Sequence, residues 1–129
     1  MQMAVIAGFH HVSLLVADTE RALRFYRDLL GLPVSPARPA LSFPGAWLDV
    51  GPQQIHLLEL PNPDPTTGRP EHGGRDRHVA LTVTDLDDLA DRLDAAGVPY
   101  SMSRSGRRAM FCRDPDGNAV ELIEVVAPG

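Results

Sequence analysis

The sequence predicts an α+β fold built from two similar halves, each a strand, a helix and then three further strands. Three observations carry this prediction. Residues 11–18, HVSLLVAD, and 78–85, HVALTVTD, share the pattern H-V-x-L-x-V-x-D at a displacement of 67 positions. Further on, IHLLEL (55–60) matches VELIEV (120–125) at a displacement of 65. Each copy of the first pattern is followed by an amphipathic helical stretch that ends at a glycine. Neither half buries its sheet face alone, so the two must pack together in one domain of 129 residues.

The elements follow in order. Alternating apolar residues predict a strand at 9–16. Asp18 is placed to cap a helix over TERALRFYRDLL, with Ala22, Leu23, Tyr26, Leu29 and Leu30 on one side and Gly31 as the stop. Strands are expected at 46–50 and 53–60, with a weaker one in the proline-rich stretch 33–43. PNPDPTTGRPEHGGRDR, residues 61–77, lacks apolar periodicity and reads as a connector or lid between module one (8–60) and module two (78–126). Module two begins with a strand at 77–83. A helix follows from Thr84 or Asp85, with Leu86, Leu89, Ala90, Leu93 and Ala96 on one face, and ends at Gly97. Strands at 99–103, 107–113 and 118–126 complete it, the last two joined by the turn DPDGN (114–118).

Strand alternation then sorts the polar side chains. Val12, Leu14 and Val16, and Val79, Leu81 and Val83, form the faces the helices cover, which turns His11 and His78 to the opposite face. In the later strands Ile55 and Leu57 alternate against His56, and Val120 and Leu122 against Glu121. Equivalent positions of a duplicated unit thus hold His11, His56, His78 and Glu121, expected together on one concave face. Three imidazoles and a carboxylate suit a divalent transition metal (Zn, Fe, Ni, Co or Mn), and an ionised Glu121 buried alone would be costly. The histidine shared by both halves is also open to a packing reading. His10, one position out of register, falls toward the helix-covered side as a bystander.

Through HHVSLLVADTERALRFYRDLLGL, QQIHLLEL, RHVALTVTDLDDLADRLDAAGVPY and FCRDPDGNAVELIEV the chain resembles the vicinal oxygen chelate superfamily: glyoxalase I, extradiol dioxygenases, fosfomycin-resistance enzymes and bleomycin-binding proteins. The resemblance implies two paired βαβββ modules forming a curved, partly open mixed sheet around a metal, in a homodimer. It implies His11, His78 and Glu121 as ligands. Glyoxalase I-like members carry a Glu or Gln ligand where this chain has His56. The implied activity is a glyoxalase-like lyase or isomerase on a small substrate that chelates the metal through neighbouring oxygens, with Glu121 or a displaced His56 carrying the proton. The alternatives are an Fe(II)-dependent extradiol-type dioxygenase on a catechol-like compound and a non-catalytic drug-binding resistance protein.

Composition narrows the partners. A net charge of −5 with interspersed signs gives no basis for a nucleic-acid or anionic membrane partner. MQMAVIAGF lacks a basic leader and is too short to span a bilayer, so a cytoplasmic location is the default. All twelve basic residues are arginine, which excludes lysine Schiff-base chemistry. The single cysteine, Cys112, is expected to be a buried small hydrophobe. Arg75 and Arg107, with Arg77, Arg104 and Arg108 nearby, are candidates to hold a substrate carboxylate or phosphate. Tyr100 is a candidate proton donor, His72 a solvated loop histidine, and Trp47 and Phe43 wall or core residues.

Overall fold

The structure is a computed structural model and describes residues 3–125. Module one runs β1 (His11–Val16), α1 (Thr19–Leu23) continued by a π-helical stretch (Arg24–Leu29), β2 (Gly45–Val50) and β3 (Gln53–Glu59). A short 3-10 turn (Gly73–Arg75) precedes module two: β4 (His78–Val83), α2 (Leu86–Ala95), β5 (Tyr100–Met102), β6 (Ala109–Arg113) and β7 (Ala119–Glu124). The strands lie within a residue or two of their expected spans. Met1, Gln2 and Val126, which the readings of the N-terminus and of the last strand include, fall outside the described residues.

The sheets order as β1-β3-β2 and β4-β7-β6-β5. In each, the first strand runs parallel to the last and the remaining pairs are antiparallel. This is the repeated βαβββ architecture with mixed, curved sheets. In module one the stretch 33–43 contributes only an isolated bridge, Val34 to Leu48, instead of a full strand. Pro33, Pro36 and Pro39 remove the N–H groups a ladder needs.

The first helix also departs from the expected single amphipathic helix. Asp18 caps it by accepting from the Arg21 N–H, but only five residues are α-helical. Leu30 N–H then reaches back five residues to the Phe25 carbonyl, and Leu32 N–H donates to the Tyr26 carbonyl past Gly31, whose φ is +80°. The wider winding brings the adjacent Phe25 and Tyr26 both into the core. There they join Ala22, Leu57, Leu81, Leu89, Leu93 and Leu122 in one cluster spanning both modules. No helix among the described residues is long and apolar enough to cross a membrane.

Polar contacts from the DPDGN turn lock the modules together. Tyr26 donates to Asp114 at 2.7 Å, Ala17 N–H and Arg21 donate to Asp116 at 2.9 and 2.7 Å, and Asn118 donates to the Leu15 carbonyl. The connector is fastened as well: half-buried Asp76 accepts from Arg69 and Arg113, and these hydrogen bonds hold its carboxyl well below the usual range. Cys112 is buried as expected, and burial beside Asp114 pushes its thiol up to about 12, so it is no nucleophile at neutral pH.

Candidate functional site

On the non-core face of the first sheet, pleat alternation places Trp47, Asp49, Gln54 and His56 beside His11. The Trp47 and His56 rings stack with centroids 4.1 Å apart and a 4° interplanar angle, and His56 stacks on His11 at 3.9 Å and 16°. Burial, reinforced by the neighbouring histidines and Arg38, lowers the His56 pKa and keeps the ring neutral. A short network then sets its tautomer. Asp49 only accepts, so the Gln54 amide turns its NH2 to Asp49 Oδ1 at 3.0 Å and its Oε1 to His56 Nε2 at 2.9 Å. His56 therefore carries its proton on Nε2 and presents a free lone pair on Nδ1. His10 is exposed ahead of β1, with Nδ1 2.8 Å from His11 Nδ1.

On the second sheet His78, Ala80, Phe111 and Glu121 share the corresponding face. Glu121 is only 3% exposed, yet both oxygens are engaged: Oε1 lies 3.1 Å from His78 Nε2, and Oε2 accepts from Arg107 at 2.9 Å. His78 Nδ1 lies 2.8 Å from the Asp76 carbonyl, which can only accept, so Nδ1 bears the hydrogen. In a neutral ring Nε2 is then a bare lone pair aimed at a carboxylate. Two acceptors at that distance require a cation between them, either a proton or a metal ion. A histidine that donates one N–H to a backbone carbonyl has the usual surrounding of a metal-ligating imidazole.

The four candidate ligands are present as two pairs, His11 with His56 and His78 with Glu121. They do not form the single cluster expected from the sequence. Among the described residues, no three His, Cys, Asp or Glu side chains gather closely enough to hold a metal ion. The donor types fit a divalent transition metal as two halves carried by separate sheets.

Beside the second pair lies a cavity of about 320 Å³ lined by His78, Glu121, Phe111, Arg75, Arg104 and Arg107. Arg75 and Arg107 thus share one cavity. Tyr100 does not: its register opposite Cys112 puts it on the helix-covered face, where its hydroxyl donates to Asp94 at 3.2 Å. His72 also borders the cavity, accepting from Gly74 N–H through Nδ1. Asp49 and Gln54 were missed in the sequence, although both share the parity that identifies the His56 face.

A model of the Glyoxalase/Bleomycin resistance protein/Dioxygenase superfamily matches residues 8–122, nearly the whole chain. The chain belongs to this superfamily. Within it, the chain is similar to Glyoxylase I 4 of Arabidopsis thaliana, 28% identical over 91% of this chain and 70% of that protein. The crystal structure of a putative glyoxalase family protein from Bacillus anthracis superposes with a TM-score of 0.77 at 25% identity, covering 95% of this chain and 98% of the other. TnmS3, an antibiotic-binding protein from Streptomyces sp. CB03234, shares the fold, with a TM-score of 0.72 at 22% identity over 95% and 98% of the two chains. Superfamily membership carries a small-molecule-binding or catalytic role.

Proposed function

We propose that this superfamily member is a divalent-metal-dependent enzyme of glyoxalase-like lyase or isomerase type, acting as a homodimer in the cytoplasm. His11 and His56 of one copy and His78 and Glu121 of the other would hold the metal. The observation that carries the reading is the His78–Glu121 pair, where the ring nitrogen opposite the one bonded to the Asp76 carbonyl lies 3.1 Å from a carboxylate oxygen. The name of Glyoxylase I 4 supports the lyase class. When bound, the metal supplies a Lewis acid that polarises neighbouring oxygens of the substrate.

The chain's own residues do the rest. A His56 displaced from the metal would accept a proton at Nδ1, its Nε2 already carrying one; Glu121 is the alternative carrier. Arg75 and Arg107 orient an anionic group on the substrate through forked hydrogen bonds. Trp47 covers one face of the His56 ring, and Phe111 packs against the edge of His78, each shielding its pair from water.

Mixing two inactive chains tests the shared site. His11→Ala and Glu121→Ala each spoil every site in their own homodimers, but a mixed dimer keeps one intact site. Random re-association should restore about a quarter of the wild-type metal content, read by elemental analysis. No recovery from chains that each lose metal alone would place the site within one chain. Wild-type protein that binds no metal would favour a drug-binding role, a reading motivated by the two ligand pairs standing apart and by the fold shared with TnmS3. Oxygen uptake with catechols on Fe(II) loading would favour the dioxygenase.

A further inference from the structure

His10 stands one position ahead of His11, and the proposed chemistry gives it no part. Its Nδ1 lies 2.8 Å from His11 Nδ1, and the two rings meet nearly edge to face, with centroids 5.1 Å apart and an interplanar angle of 78°. The His11 ring is fixed from its other side, because its face is stacked on His56 at 3.9 Å. His10 is held too: its carbonyl accepts at 3.3 Å from the N–H of Gln54, the residue whose side chain orients His56. Two ring nitrogens at this separation share one hydrogen, so one imidazole donates and the other accepts.

The duplicated plan decides between them. His78 takes the place of His11 in the second half, and its Nδ1 lies 2.8 Å from the Asp76 carbonyl, an acceptor that draws the ring hydrogen to Nδ1 and leaves Nε2 bare. The residue just before His78 is Arg77, whose side chain is turned to Asp64 at 2.7 Å, so in that half a backbone carbonyl fills the role. In the first half the ring nitrogen of His10 stands at the same distance from the corresponding Nδ1. We infer that His10 is a positioning residue: its Nδ1 accepts the hydrogen of His11 Nδ1, which fixes the His11 tautomer with Nε2 as the free lone pair for a divalent metal. The inference rests on the reading of His11 as a metal ligand. Without an acceptor at Nδ1, nothing keeps the hydrogen off Nε2, where it would block the ligating nitrogen. Both halves then present Nε2 of the first-strand histidine, one through a backbone carbonyl and the other through a neighbouring ring.

Nitrogen-15 shifts of the His11 ring in metal-free protein, taken at about pH 8.5 where an ordinary imidazole is neutral, read the tautomer with neither metal nor activity involved. Wild type should show the hydrogen on Nδ1. His10→Ala should give a mixture of both tautomers, and His10→Asn, whose side-chain oxygen can accept where Nδ1 stood, should restore the Nδ1–H form. Zn(II) affinity from chelator competition should fall about 10-fold in His10→Ala and return toward the wild-type value in His10→Asn. Recovery by Asn is what loss of packing alone would not give, and the substituted side chain is exposed, so the fold is kept. A wild-type His11 with its hydrogen on Nε2 would overturn the inference, as would an unchanged tautomer or an unchanged Zn(II) affinity in His10→Ala. Wild type that binds no Zn(II) would sink the metal reading instead, and the His11 tautomer in wild type and in His10→Ala would still decide whether His10 holds that hydrogen.

Discussion

Arg107 donates to Glu121 Oε2 at 2.9 Å, so the one buried carboxylate among the four candidate ligands already carries a positive partner. The guanidinium is more than half exposed, and solvent weakens its hold. A divalent ion joining Glu121 would sit beside a like charge. Arg107→Gln should therefore tighten metal binding, by up to about fivefold given the usual worth of an exposed pair. Chelator competition measures it, and weaker binding in the variant would show that Arg107 mainly orients the carboxylate.

His56 is expected to be neutral at pH 7 with its hydrogen on Nε2, because Asp49 orients the Gln54 amide. Nitrogen-15 shifts of the ring report the tautomer directly. Asp49→Leu removes the acceptor that holds the amide, and the ring should then show a mixture of tautomers with the fold intact. A pure Nδ1–H form in wild type would be the contrary result.

Tyr26 is fully buried and donates to Asp114, which also accepts from Asn118 and from the Asp116 N–H. Burial raises the Asp114 pKa while these donors oppose it. Tyr26→Phe keeps the ring's packing and removes one hydrogen bond to a carboxyl group, so unfolding free energy should fall by about 1.5–3 kcal/mol. Urea denaturation measures it. A change below about 0.5 kcal/mol would mean that the clamp between the modules does not need this bond.

Glu124 accepts from Arg108 and from the first backbone N–H of α2, at Leu86, and these partners, Arg108 foremost, lower its pKa. A carboxyl with a lowered folded-state pKa stabilises above its unfolded value and loses that contribution as pH falls through the folded one. Wild type should therefore exceed Glu124→Gln in stability near neutral pH, and the gap should close below about pH 4. Melting temperatures across that range follow the gap, and one that widened in acid would contradict the assignment.

Much of the site was legible because pleat alternation is local. The parity of Val12, Leu14 and Val16 is enough to turn His11 outward, and parity likewise selects Asp49 and Gln54 once His56 is chosen. Tyr100 escaped this logic because β5 is only three residues long and stands apart from the duplicated pattern. Its face is decided by pairing with Cys112. The π-helical stretch was equally hidden, since Arg24–Leu29 has ordinary helical periodicity and the joint burial of Phe25 and Tyr26 shows only in the folded chain.

The sequence by itself determined the duplicated βαβββ plan, the helices and which faces of the strands carry His11, His56, His78 and Glu121. The helices and faces follow from residue spacing within a few positions, and the plan from local patterns repeated 65 and 67 positions on. Only the tertiary structure decided that the four stand as two pairs on separate sheets, that Arg107 sits on Glu121, and that DPDGN clamps the halves through Tyr26 and Arg21. Those relationships join residues up to about a hundred positions apart, and the packing of whole modules sets them through long-range contacts that no local pattern encodes.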